Sequence, residues 1–554
     1  MLRARYFAIA GLSATLIASG AGATASSDRL LAAARDDVGT EALALVRGQV
    51  DIDARDENGA TALAWAVMRA NHALVSALLA AGADPNVADV RGVTPLALAV
   101  ANDDEALVKA LLEKGADPNR TREGGEPPLM TAIRLGATGI AQILLSHGAD
   151  ARAREDRFGQ TALMWAADNP AVARMLLEKG ADPRLATKSW DVTATIYTPM
   201  NATLGVTGIP WNNDGDFTAR AGGDTALIFA VRSRNVDVVR LLLDAGADVD
   251  QASADGTTPL LASLYQWRSS DGRSLTFSPS PEIATLLLDR GARIDVADRA
   301  GYTPLHGAVL GLSLSESVGV RPRSVAQAER LAPQPPPNEA EGLVLVERLL
   351  AAGADPNRPT LHPTPGPVGA VRVNPAPPGS TPFHIAATAH SAKLIALLAQ
   401  HGGDPNRLRK DGHTPLSVAV QSNDPAVVRA IVDRGGDVRR RYDPADEVAD
   451  PVEAKSERRS GQGILHIAAV AGSDRVVELL VARGAPVLAK NDQGETPLEL
   501  ADAQERFRYA LEREGPLGGG PTRDVVRETY TSDAFKRVTA RRGALADAGA
   551  SRSR

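Results

Sequence analysis

Apolar positions recur along this chain with two nested periods. At the short scale they pair one helical turn apart: Leu74, Val75, Leu78 and Leu79, then Leu107, Val108, Leu111 and Leu112. Spacings of three and four residues put one greasy stripe on an amphipathic helix. Gly82, Gly115, Gly148, Gly180, Gly246 and Gly353 follow directly after such stripes. A left-handed residue there closes the last helical turn, and glycine adopts that shape at least cost. Asp-Pro-Asn after Gly-Ala then signals a turn. The pattern predicts helix, stop and turn, many times over.

At the long scale, a glycine precedes a T-P-L or T-A-L element at positions 59, 92, 125, 159, 223, 256, 301, 379, 412, 461 and 494. The shortest steps are 33 residues, and the longer ones are one or two periods plus insertions. The string LLEKGADP occurs at Leu111–Pro118 and again at Leu176–Pro183. Thr-Pro stands at Thr94-Pro95, Thr258-Pro259, Thr303-Pro304, Thr381-Pro382, Thr414-Pro415 and Thr496-Pro497. Threonine supplies a capping oxygen, and proline at the first helical position gives up an N–H that had no partner. Pro127-Pro128 and Gly463-Ile464 depart from the pattern.

Period and wording together resemble the ankyrin repeat, a β-turn and two antiparallel helices opening on T-P-L-H. The resemblance covers Asp28 to about Glu514. It implies an all-α solenoid of about twelve helix-turn-helix units with short β-turn fingers. One unit cannot bury its own apolar face, so stacked units share a continuous core. The first unit, Asp28 to Asp56, lacks the opening turn and reads as an N-terminal cap. The last, Gln493 to Glu514, carries Glu505, Arg506 and Arg508 in its second helix, as a C-terminal cap would. The resemblance also implies that His306, His384 and His466, in the fourth place of T-P-L-H, bond the turn and tie adjacent units. Trp65 and Trp165 share one place in two first helices and read as core or groove-lining residues.

Insertions matter because the fold does not need them. The segment 188–221 lies where such proteins carry projecting β-fingers, and it is aromatic-rich on a chain that is only 4% aromatic. Trp190, Tyr197, Trp211 and Phe217 beside Asn212 and Asp214 suit a recognition surface. A loop that folds back over the stack is the plainer reading, and both can hold together. Asn212–Asp216 offers oxygen ligands but lacks the calcium-loop spacing and its terminal bidentate Glu. Insertions at 265–282 and 312–341 separate the helices of single units, and those at 358–379 and 439–462 take finger positions.

Composition adds a compartment. Residues 1–25 read as a secretory signal: Arg3 and Arg5, an apolar run from Tyr6 to Ala18, then Ala23-Thr24-Ala25. The run is short of the ~20 residues of a spanning helix. Export to the periplasm or medium is therefore expected, with no membrane association after cleavage. The solenoid is expected over 26–514, and a flexible basic tail over 515–554. The chain has no cysteine, hence no disulfide and no thiolate. A net charge of −6 argues against nucleic acid.

Chemistry is harder to find. His72, His147, His362, His390, His401 and His413 fall at helix ends, turns or loops, with no zinc spacing. No nucleophile elbow and no phosphate loop occur. Asp84, Asp117, Asp150, Asp182, Asp248 and Asp355 recur with the period and so shape turns. No catalytic, cofactor-binding or metal residue is assigned, and no cofactor is expected. The expected function is a monomeric, non-catalytic scaffold that binds another protein through its concave groove and the 188–221 finger. The alternative is a ligand- or calcium-binding module formed by the finger insertions.

Overall fold

The computed structural model describes residues 23–48, 50–122, 125–199, 211–264, 267–269, 275–277, 279–314, 339–361, 377–389, 391–410, 412–442, 461–471 and 474–500. The described chain forms helical hairpins in two compact units that meet in sequence between Thr187 and Lys188. The first unit holds α1 Ala23–Arg35, α2 Gly39–Val46, α3 Ala62–Met68, α4 His72–Ala80, α5 Pro95–Ala101, α6 Glu105–Glu113, α7 Pro128–Leu135, α8 Thr138–Ser146, α9 Ala162–Trp165 and α10 Pro170–Glu178. Within this unit the first helix of each hairpin packs on the first helix of the next, and the second on the second. Leu74, Val75, Leu78, Leu107, Val108 and Leu111 are fully or almost fully buried between these layers, as their spacing predicts.

Local chemistry explains why each helix begins and ends where it does. The Thr94 hydroxyl accepts the Ala97 N–H at 3.2 Å, and Pro95 opens the helix; Thr61, Thr161, Thr225, Thr381 and Thr414 cap in the same way. Second helices have their own caps in Asn71, Asp104, Asn169, Asn235, Ser391 and Asp424. Gly82 ends its hairpin at φ +92, with open space where a side chain would stand. There glycine answers a backbone need and no crowding.

The period-bound aspartates shape turns as expected: Asp84 Oδ1 accepts from Asn86 N–H, and Asp117 from Asn119 N–H. The asparagine that follows does more. Asn86 Nδ2 donates to Gly115 O at 2.9 Å, and its Oδ1 accepts the Asp117 N–H at 2.7 Å. Asn119 repeats both bonds with Gly148 and Asp150. In the second unit Asn357 bonds Gly402 and Asp404, and Asn406 bonds Gly435 and Asp437. At these four places one side chain stitches a turn to the next.

The second unit contains β1 Ser189–Pro199, β2 Trp211–Gly222, α11 Ala226–Ser233, α12 Val236–Asp244, α13 Pro259–Leu264, β3 Trp267–Ser269, β4 Leu275–Phe277, α14 Pro281–Asp289, α15 Pro304–Leu314 and α16 Glu339–Ala351. It continues with α17 Pro382–Ala386, α18 Ala392–Gln400, α19 Pro415–Gln421, α20 Pro425–Val432, β5 Arg441–Tyr442, β6 Gln462–Gly463, α21 Ile464–Ala471 and α22 Asp474–Ala482. A final helical stretch starts over residues 497–500. Three antiparallel two-stranded ribbons, β1–β2, β3–β4 and β5–β6, lie within insertions.

Several expected boundaries move. The segments expected as loops at 265–282 and 312–341 are shorter, because Pro281 and Glu282 open α14 and Glu339 and Glu341 lie in the first turn of α16. Acidic residues favour the positive end of a helix, so they belong to the element that follows. Residues 312–314 likewise extend α15. The first helix starts at Ala23, five residues before the expected cap, with Leu30, Leu31, Ala33 and Ala34 buried. The expected signal segment before Ala23, the charged residues Glu505, Arg506 and Arg508, and the tail at 515–554 lie outside the described residues.

Candidate functional site

Three of the expected repeat histidines separate into two kinds. His384 Nδ1 accepts from the Thr381 N–H, and its Nε2 lies 3.2 Å from His413 O of the next repeat. His466 does the same with Gly463 N–H and Glu495 O, at 2.9 Å. These two tie adjacent units. His306 keeps the turn bond to Thr303 but its Nε2, fully buried, finds no hydrogen-bond partner of good geometry. Burial pushes its pKa down to about 4, although the Ser380 and Arg358 backbone oppose that shift. The ring is therefore neutral at physiological pH.

The first helices and the turns before them build a patterned surface in the first unit. The fifth residue of each hairpin, counting the cap as the first, is Trp65, Leu98, Thr131 and Trp165. Thr131 is buried, whereas Trp65, Leu98 and Trp165 are part-exposed, and Met68 beside Trp65 is 41% exposed. Both indoles are turned toward the finger turns: Trp65 Nε1 donates to Asp56 Oδ2 at 3.0 Å, and Trp165 Nε1 to Gln160 Oε1 at 2.6 Å. Each is a large apolar body held by its polar tip.

Between the tryptophans the link is ionic. Glu126 accepts from Thr131 at 2.7 Å and pairs with Arg122 and with Arg134 at 3.1 Å. Burial raises the Glu126 pKa, but hydrogen bonds from Thr131 and Arg122 and the two arginine charges outweigh it, leaving it lowered. The Arg134 guanidinium also stands 6.0 Å from the centre of the Trp165 ring. In the second unit Arg232 makes the same helix-to-turn bridge to Asp224 at 2.9 Å, beside part-exposed Phe229. Burial raises the Asp224 pKa despite Arg232, and the nearby Asp255 charge adds to that rise. Met68, Leu98, Glu126 and Arg134 escaped the sequence reading. Counting from each cap would have placed Met68 and Arg134 at the same position, one helical turn beyond that of Leu98, and Glu126 just before its cap.

The 188–221 insertion is an antiparallel ribbon whose register runs Trp190↔Ala221, Val192↔Ala219, Ala194↔Phe217, Thr195↔Asp216, Tyr197↔Asn213, Thr198↔Asn212 and Pro199↔Trp211. Strand residues alternate between faces. Trp190, Val192, Ala194, Phe217, Ala219 and Ala221 thus share one face, and Asp191, Thr193, Thr195, Asp216, Thr218 and Arg220 the other. Of the expected site residues, Trp190, Phe217 and Asn212 fall on the first face, whereas Tyr197 and Trp211 fall on the second. Asp214 lies at the irregularity opposite Ile196. Trp190 is 41% exposed. Side chains from Val192 to Arg220 lie outside the described residues, so the oxygen ligands proposed for calcium there do too. Among the described residues no group of three His, Asp or Glu side chains is placed to hold a metal ion.

Family models described as ankyrin repeats match residues 30–122, 118–187, 340–442 and 449–501, and a single-repeat model matches 222–254. Together they span more than half of the sequence; the capping residues Thr61, Thr94, Thr161, Thr225, Thr381 and Thr414 and the histidines His384 and His466 lie within them, whereas His306 and the hairpin α13–α14 fall between matches. The chain is an ankyrin-repeat protein. No curated protein matches it. Ankyrin repeats are generally protein–protein interaction modules and typically non-catalytic. Among the described residues no helix is long and apolar enough to cross a membrane.

Proposed function

We propose that this ankyrin-repeat protein is an exported, non-catalytic scaffold that binds another protein through its first-helix row and the β1–β2 finger. The observation that carries the reading is the row Trp65, Met68, Leu98 and Trp165. These large apolar side chains remain part-exposed at repeated positions, two of them anchored by their indole N–H groups. Aromatic anchors already held in place lose little freedom on binding, so more of their buried area appears as affinity. Export rests on the sequence of residues 1–25 alone.

The test is capture of a partner from an extract of the protein's own host, with identification by mass spectrometry. Trp65→Ala combined with Trp165→Ala should lower capture at least tenfold, and deletion of 188–221 should lower it further, while helical circular dichroism stays near wild type. Equal capture by all three proteins would refute the binding surface. Export is checked by fractionating cells that express the full chain: a cytoplasmic product with residues 1–25 still attached would remove the compartment from the proposal.

A further inference from the structure

The edges of the β1–β2 ribbon are not alike. β2 carries Asp214, Gly215, Asp216 and Arg220, and its pairing is interrupted between Asn213 and Asp216. Charge, glycine and an irregularity are the devices by which natural proteins blunt a strand edge. β1 has neither charge nor glycine between Val192 and Thr198, where the sequence is VTATIYT, and at the shared irregularity it passes from Thr195 to Tyr197 with one residue where β2 has two. That stretch is uncharged and mostly β-branched, the composition best suited to pairing. Among the described residues the sheet has only these two strands, so no third strand takes the outer edge of β1. A lone two-stranded ribbon is marginal in water, and further strands are what stabilise it.

We infer that the outer edge of β1 pairs antiparallel with β1 of a second copy of this chain, joining two ribbons into one four-stranded sheet. The sequence of the strand favours its own copy as occupant. β1 runs from Ser189 to Pro199, so full overlap of two antiparallel copies puts Ala194 on the two-fold axis. Val192 then meets Ile196, Thr193 meets Thr195, Trp190 meets Thr198 and Asp191 meets Tyr197. Residues that share a face in one copy share it in the pair, so the apolar face of each ribbon continues into the next. Opposed β-branched pairs stabilise such a ladder, and like charges opposite one another destabilise it. The one charge in β1, Asp191, meets a tyrosine and never its own copy. The contact is isologous and closes at two, as cyclic dimers do.

The symmetry supplies the test. Light scattering on the purified full chain should show the mass doubling with concentration. Ala194→Lys sets two ammonium groups against each other on the axis and should hold the chain at the monomer mass, as should Ala194→Glu. Mixing the two variants in equal amounts places Lys opposite Glu and should restore the doubled mass. Thr218→Lys, on the blunted strand, should dimerise as wild type does. Circular dichroism of each variant checks that the helices are intact. A wild-type chain that stays monomeric to the limit of its solubility overturns the inference. So does a dimer that Ala194→Lys leaves whole, because it must then use another surface.

Discussion

At the residue scale, most of the chain's repeated words have a local physical meaning, and the exceptions are informative. Gly403 stands where other hairpins carry Ala83, Ala116 or Ala149, next to Phe383, which replaces the leucine of T-P-L. A Cβ at Gly403 would fall 2.5 Å from Phe383 Cδ2 and 2.8 Å from Leu398 O. Gly403→Ala should therefore cost about 1–3 kcal/mol by overpacking, and Phe383→Leu on the same chain should recover part of it; urea denaturation measures both. Asp298 makes a second case. Burial pushes its carboxyl up to about 6 although backbone N–H groups, Tyr302 first, oppose that rise, and Asp255 adds repulsion. A raised acid is favoured folded when protonated, so its stabilising share is full below pH 3.8 and lost as pH rises through 6. Asn491 fills the same turn position and accepts two backbone N–H groups through Oδ1. Asp298→Asn should thus gain on the order of 1 kcal/mol above pH 6 and nothing below pH 4, read from thermal unfolding across that range. His306 runs the other way: its stability is full above pH 6.5 and fades as pH falls through about 4.

At the element scale, the helices were legible because their signals are short-range. A capping threonine, a proline beside it and apolar residues three and four apart act within one or two turns. The asparagine ladder was not legible in that way, because Asn119 finds Gly148 and Asp150 a full period later. Only stacking brings them together. Asn119→Ala removes one acceptor and one donor at an exposed turn and should cost about 1 kcal/mol. Asn119→Asp keeps the acceptor for Asp150 N–H and should lose less, unless charge repulsion from Asp150 dominates; equilibrium unfolding of the pair separates the two terms. Insertions behaved differently again. Their positions followed from broken periodicity, and two of the ribbons stand at expected finger positions, whereas β3–β4 lies in a segment expected only as a loop between paired helices. Tyr442 in β5 is buried, with its hydroxyl 3.2 Å from Thr414 Oγ1 and its ring stacked on His413. Burial holds that hydroxyl near a pKa of about 12, so it stays protonated at any working pH.

At the scale of the whole molecule, each compact unit is a sum of hairpins that touch mainly their neighbours, so perturbations should remain local. Asn119→Ala and Gly403→Ala fall in different units, and their stability losses should add to within about 0.5 kcal/mol; a larger coupling in the double mutant would show that they do not act separately. The sequence by itself determined the repeat, its hairpins, its stops and the places where the fold is interrupted, because those depend on dihedral preference and on contacts a few residues apart. Tertiary structure alone decided which tryptophan tips meet the turns, which asparagines join one hairpin to the next, and which carbonyls of the next repeat His384 and His466 reach. It also divided the finger's aromatic residues between two faces, since a ribbon's sides are set by register and register by the partner strand.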